Sequence, residues 1–90
     1  MSRYYQYKNG EEVFVRPDLE RGVRYYMRSG YRANDVNVII TYSQAQRLGT
    51  VVHIAGKRNG RYYIDEDYGR DLWTDEMFAA PNECICTPLL

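Results

Sequence analysis

Of all the features of this sequence, the dipeptide Asn59-Gly60 places the strongest constraint on the fold. Both residues tolerate a positive φ angle, so the pair favours the tight turn of a two-residue β-hairpin. The segments TVVHIA before it and RYYIDE after it then become the two strands of that hairpin. The sequence therefore predicts one antiparallel strand pair, to which the rest of the chain has to add.

Three further segments have the features of short strands. EEVFVRPDL alternates, with Val13 and Val15 on one side of the strand, and Pro17 ends it. VNVIITY (residues 36–42) is β-branched and alternating, and RDLWT gives a short fifth strand. We expect five strands in about 80 residues, an all-β arrangement typical of a small barrel or a curled sheet.

Two short segments favour helical turns between these strands. SQAQRLG (residues 43–49) predicts one turn that Ser43 caps and Gly49 ends. TDEMF (residues 74–78) predicts a closing turn with Thr74 as its cap. The predicted interior consists of Val13, Val15, Val52, Ile54, Tyr62, Ile64 and Leu72. We expect a single domain over residues 1–80 and an irregular tail over residues 81–90, which contains two prolines.

Length and composition restrict the function classes. A chain of 90 residues has little room for a deep catalytic cleft. Twelve basic residues balance twelve acidic ones, which argues against general affinity for nucleic acid. Neither a membrane span nor an apolar signal segment is present, so a soluble cytoplasmic protein is expected. Cys84 and Cys86 are expected to be reduced thiols without a metal, because the only histidine, His53, lies far from them in sequence.

Two pieces of the sequence together resemble a known family. VFVRPDLERGVRY and LGTVVHIAGKRNGRYYIDEDYGRDLWTDEMF are similar to small SH3-like barrels of the mind-bomb type, including short proteins of phages and prophages of Gram-positive bacteria. The similarity covers roughly residues 11–25 and 48–78. It implies a five-stranded SH3-like barrel that binds through its loops and has no known catalysis. Residues 26–42 depart from the pattern and are expected to form an insert.

The stretch RGVRYYMRSGYR (residues 21–32) contains four arginines, three tyrosines and no acid. Arginines bind phosphates and tyrosines stack on bases, so the stretch suits a ligand that carries both. Gly22 and Gly30 disfavour a continuous helix, and a solvated structural loop is the other interpretation. The candidate ligand-binding residues are Arg24, Tyr25, Tyr26, Arg28, Tyr31 and Arg32.

The segment IDEDYGRDLWTDE (residues 64–76) holds six acids against one arginine. It suits a basic protein partner, since charge complementarity raises the association rate and the specificity. The same acids would also serve in turns and caps, or would pair with the arginine stretch of the same or another subunit. Trp73 is either a binding hot spot or a core residue. The candidate partner-binding residues are Asp65, Glu66, Asp67, Tyr68, Asp71 and Trp73.

Three functions follow as hypotheses. The first is a non-catalytic binding module that occupies a bacterial host or defence protein. The second is a homo-oligomeric sponge that sequesters a nucleotide signal, and the third is a nucleic-acid-binding barrel. Catalysis and cofactors are not expected, because His53 has no nucleophile beside it in the sequence and GKRNG lacks the spacing of a phosphate-binding loop.

Overall fold

Short β-strands dominate the part of the chain that the structure, a computed structural model, describes, which is residues 4–79. The strands are β1 (Glu12–Val15), β2 (Arg24–Tyr26), β3 (Asn37–Ile39), β4 (Val51–Arg58), β5 (Arg61–Ile64) and β6 (Phe78–Ala79). One α-helical turn, α1 (Tyr42–Ala45), precedes β4, and a 3-10 turn (Asp75–Met77) precedes β6. The prediction of a mainly β protein with short helical turns is confirmed.

The strands form two antiparallel sheets. The larger sheet has the order β5-β4-β1-β6, and the smaller sheet pairs β2 with β3. Val13 lies opposite Val52 in the larger sheet, and Tyr25 lies opposite Val38 in the smaller one. Both sheets contribute side chains to one hydrophobic core.

The predicted hairpin at Asn59-Gly60 is confirmed. Asn59 has a φ of 56° and Gly60 a φ of 77°, as the tight turn between β4 and β5 requires. A register shift between Ile54 and Gly56 then brings Gly56 opposite Tyr63. A Cβ atom on Gly56 would lie 2.6 Å from the Tyr63 hydroxyl oxygen. The Tyr63 ring can therefore pack over this part of β4 only because residue 56 is glycine.

The core is built around aromatic rings. Trp73 stacks on Phe78 with the ring centroids 5.6 Å apart, and Tyr7 and Tyr62 pack edge-on or tilted against the same group. Every predicted interior residue except Leu72 is buried. Leu72 is half-buried, and its neighbour Trp73 is fully buried in its place.

The predicted fifth strand, RDLWT, is reduced to a single bridge. Trp73 and Tyr62 exchange backbone hydrogen bonds of 2.8 and 2.9 Å, and pairing goes no further. The carbonyl of the neighbouring Leu72 faces the other edge of this segment, as the residue next to a hydrogen-bonded antiparallel pair does, and it accepts a 2.6 Å hydrogen bond from the Gln44 side chain. A side chain from α1 thus covers the edge that faces away from β5.

The predicted insert, residues 26–42, is also partly regular. Tyr26 ends β2, a strand that was not predicted in the arginine-rich stretch, and β3 is shorter than the predicted strand 36–42. Thr41 and not Ser43 caps α1: its hydroxyl accepts from the Gln44 N–H at 3.2 Å, and the Gln44 side chain accepts from the Thr41 N–H at 3.1 Å. This capping box ends the strand and starts the helix two residues earlier than predicted.

Other predictions concern the end of the domain. Thr74 precedes the 3-10 turn as predicted, but its side chain makes no capping hydrogen bond.

Within residues 4–79 no helix has the length and apolar character of a membrane span. The predicted tail 81–90, with Cys84 and Cys86, lies outside the described residues.

Candidate binding surface

The loop of residues 65–71, here called the acidic loop, carries Tyr68 at its tip. The Tyr68 N–H donates to the Asp65 carbonyl at 3.0 Å, and the Gly69 N–H donates to the Ile64 carbonyl at 3.1 Å. These bonds turn the chain so that Tyr68 has a φ of 56° and its side chain is 96% exposed. A positive φ is rare for a bulky residue, so the backbone of Tyr68 is strained while its side chain projects into solvent.

Asp67 and Trp73 support the acidic loop from inside the protein. Asp67 is 3% exposed and accepts hydrogen bonds from the Gly69 N–H at 3.0 Å and from the Trp73 indole N–H at 3.2 Å. Trp73 is 0% exposed. Both residues were candidate partner-binding residues, with a core position left open for Trp73; the structure buries both beneath the acidic loop, where they position Tyr68.

Arginine and serine side chains tie the acidic loop to its neighbours. Arg47 donates to the Glu66 carbonyl at 3.0 Å, and Arg58 donates to the Gly69 carbonyl at 2.6 Å. Ser43, on α1, donates to the Asp71 carboxylate at 3.2 Å. The loop is therefore held from α1 and from β4 as well as from below.

His53 and two glutamates form a charged cluster beside the acidic loop. His53 Nδ1 lies 2.8 Å from Glu66 Oε2, and Nε2 lies 3.7 Å from Glu12 Oε2. The hydrogen bond to Glu66 is the main reason that the pKa of His53 is raised; burial opposes it, and the charges of Glu66, Glu12 and Asp65 add to it. Burial raises the pKa of Glu66, but hydrogen bonds from His53 outweigh it and lower this pKa overall.

The pairing of His53 with Glu66 is expected to make stability depend on pH. The raised His53 pKa gives stability that is fully present below the ordinary value of 6.5 and is lost as the pH rises through the folded-state pKa. The lowered Glu66 pKa gives stability that is present above 4.5 and is lost as the pH falls. The contribution is thus largest between about pH 4.5 and 6.5.

Denaturant unfolding of the wild type and of His53→Gln at a series of pH values measures this contribution. The difference in unfolding free energy between the two proteins should shrink as the pH rises from 6.5 through the raised pKa of His53 in the folded state, where the folded protein loses this proton. A difference that stays constant from pH 5 to pH 9 would contradict the pairing.

The arginine stretch lies along β2 and the turn after it, and most of its members have partners within the chain. Arg28 donates to Glu76 at 2.8 Å and to Asn34 at 2.7 Å, and its guanidinium lies over the Tyr26 ring. Arg32 pairs with Asp35 at 2.8 Å. Two of the three arginines that were predicted to bind phosphates therefore have a carboxylate partner within the chain.

The remaining residues of the predicted ligand site differ in their exposure. Arg24 is exposed on β2, and Tyr25 and Tyr26 are half-buried. The Tyr25 hydroxyl accepts from the Glu20 N–H at 3.0 Å. Tyr31 is 79% exposed, and so it is the tyrosine of this set with a free ring face.

Asp75 and Glu76, the last acids of the acidic segment, bind the backbone of the arginine stretch. Asp75 is 4% exposed and accepts from the Arg28 N–H at 2.8 Å, the Ser29 N–H at 3.0 Å and the Ser29 hydroxyl. Glu76 accepts from the Tyr26 N–H at 2.7 Å. Pairing within one chain was among the interpretations left open by the sequence, and it is the one found for these two acids.

Arg61 is a residue that the sequence analysis did not select. It directly follows the Asn59-Gly60 turn, and its Nε donates to the Asn37 carbonyl at 2.9 Å. Asn37 also accepts from Arg24 at 3.1 Å through its side chain. Its position directly after the hairpin turn was the only feature of the sequence that could have drawn attention to Arg61. Its hydrogen-bond partner could not be predicted, because β3 is distant in sequence.

Residues 4–79 contain no group of three or more histidine, cysteine or carboxylate side chains that could hold a metal ion, and their surface has no pocket. No protein-family model, curated protein or solved structure matches the chain.

Proposed function

We propose that this domain is a non-catalytic binding module that contacts a protein partner through the acidic loop. The observation that carries the proposal is Tyr68, whose side chain is 96% exposed although its backbone is held at a positive φ by a buried support. Strain of this kind persists only where the surrounding structure imposes it, and it concentrates at functional sites.

Physical arguments favour a protein as the partner. Tyrosine gives a large rigid contact area at a low cost in conformational entropy, and it is enriched among hot spots. A loop that is already ordered loses little further entropy when it binds. Asp65, Glu66 and Asp71 lie in the same loop as Tyr68 and carry negative charge, so a partner with a basic patch would be steered towards it.

The family resemblance supplies the biological setting of the proposal. Two antiparallel sheets around one core agree with the all-β class to which small SH3-like barrels belong. In that setting the partner is a host or defence protein in the bacterial cytoplasm, which the domain inhibits by occupancy.

Replacing Tyr68 with glycine separates binding from stability. Glycine adopts a positive φ without strain, so we expect unchanged or slightly higher stability, by up to about 1 kcal/mol. Loss of the ring should weaken partner binding at least tenfold, as for an interface hot spot. The measurement is capture of host proteins from a bacterial lysate on the tagged domain, with native mass spectrometry of the complex.

Tyr31→Ala is the matched control, because Tyr31 is also an exposed tyrosine but lies outside the acidic loop. It should retain the stoichiometric partner that Tyr68→Gly loses. If both variants retain the partner equally, the acidic loop is not the contact surface. If the wild type carries no stoichiometric protein, the binding-module proposal fails.

A further inference from the structure

A second charged feature lies on the side of the molecule where the smaller sheet meets the β4–β5 turn. Arg24 and Arg61 both hydrogen-bond Asn37, the first to its side-chain oxygen and the second to its carbonyl oxygen. The Arg32 side chain lies against the turn, 3.4 Å from where a Cβ of Gly60 would be. Arg24, Arg32 and Arg61 are here called the arginine edge.

The charges of the arginine edge are largely uncompensated. Within residues 4–79 neither Arg24 nor Arg61 makes an ion pair, since their hydrogen-bond acceptors are the neutral oxygens of Asn37 and Asn59. Arg32 pairs with Asp35, but both side chains are more than half exposed, and such pairs contribute little stability.

Arg58 lies directly opposite Arg61 in the β4–β5 hairpin, but its side chain belongs to the support of the acidic loop, since it donates to the Gly69 carbonyl at 2.6 Å and lies over the Tyr63 ring. The positive charge of the arginine edge therefore comes from Arg24, Arg32 and Arg61. Guanidinium groups with unused N–H donors match the paired oxygens of a phosphate, so a phosphodiester is the anion that the edge fits best.

An exposed aromatic ring adjoins the arginine edge. Tyr31 precedes Arg32 in the chain and is 79% exposed, so its face is open to a flat ligand. Bases inside a duplex are stacked on each other, whereas those of a single strand stack on protein aromatic rings. The combination of arginines with one open ring therefore favours a single strand over a duplex.

We propose that the arginine edge and Tyr31 bind a single strand of nucleic acid, with its phosphates on Arg24, Arg32 and Arg61 and one base on Tyr31. This site is independent of the acidic loop and does not rest on the protein-binding proposal. The zero net charge of the chain does not oppose it, because a local patch sets the potential that a nearby strand meets.

Fluorescence anisotropy with a labelled oligothymidylate of about 12 nucleotides tests the proposal. With three phosphate contacts, the affinity should fall about 20-fold between about 50 mM and about 200 mM salt. Arg61→Ala or Arg24→Ala should weaken binding and reduce this fall to about sevenfold, because one contact is lost. Arg61→Lys should keep the salt dependence while lowering the affinity, because lysine keeps the charge but not the planar fork.

Two variants complete the test, each checked by its thermal melting curve. Tyr31→Ala should lower the affinity about fivefold or more through lost stacking, with the salt dependence unchanged. Arg70→Ala removes the same charge from the acidic loop and should leave binding intact. Equal losses in Arg61→Ala and Arg70→Ala, or no binding at about 50 mM salt, would overturn the proposal. Displacement of the strand by an equal concentration of mononucleotide would also overturn it, by assigning the edge to a free nucleotide.

Discussion

Asp75→Ala is expected to lower the free energy of unfolding by about 3–5 kcal/mol, a large part of the stability of a domain this small. The carboxylate is 4% exposed and accepts hydrogen bonds from the backbone N–H groups of Arg28 and Ser29 and from the Ser29 hydroxyl. Alanine would leave these donors without an acceptor in a place that water does not reach. A buried unsatisfied donor costs about 1–3 kcal/mol.

Denaturant unfolding measures this loss, and two variants show its cause. Asp75→Asn keeps one acceptor oxygen and should fall between the wild type and the alanine variant. Asp35→Ala removes an exposed carboxylate from its pair with Arg32 and should change stability by less than about 0.5 kcal/mol. Equal losses for Asp75→Ala and Asp35→Ala would show that burial of the Asp75 contacts is not what stabilises the domain.

Trp73→Ala is expected to cost about 3–5 kcal/mol, the usual range for removing a buried large aromatic side chain. Trp73 is 0% exposed, stacks on Phe78 and pairs through its backbone with Tyr62. Its loss would open a cavity between β5 and β6 and remove the support of the acidic loop.

Trp73→Phe separates packing from the support of the acidic loop. Phenylalanine keeps a ring in the core but cannot donate to Asp67, so the stability loss should be smaller than for alanine. Amide hydrogen exchange at Tyr68 and Gly69 should nevertheless speed up, since the buried end of the loop is released. Tyr31→Ala, which removes an exposed ring, should change neither quantity. A Trp73→Ala protein of unchanged stability would refute the core position of this residue.

The two large effects have a common origin in the segment 64–76. Its six acids look alike in the sequence, yet Asp65 is exposed, Asp67 supports the loop from inside, and Asp75 and Glu76 bind the arginine stretch. Strand alternation ends at Ile64, so no periodic pattern tells which of the following carboxylates faces the protein. The direction of each is set by donors that are distant in the chain.

The sequence alone determined those features that arise from neighbouring residues. Asn59 and Gly60 specify the hairpin because both take a positive φ. The alternation of apolar residues in β1 and in the two hairpin strands correctly identified the predicted interior residues, all of which are buried except Leu72. Tyr68 was selected only as one of six candidate partner-binding residues, and its 96% exposure is known from the structure.

Only the tertiary structure decided which polar groups meet. The Gln44 side chain binds the Leu72 carbonyl, and Asn37 brings Arg24 beside Arg61. Hydrogen bonds and ion pairs act over a few ångströms in space, and they do not depend on how far apart the two residues are in the sequence. Partners that are 13, 24 or 28 residues apart therefore become visible only when the sheets have packed.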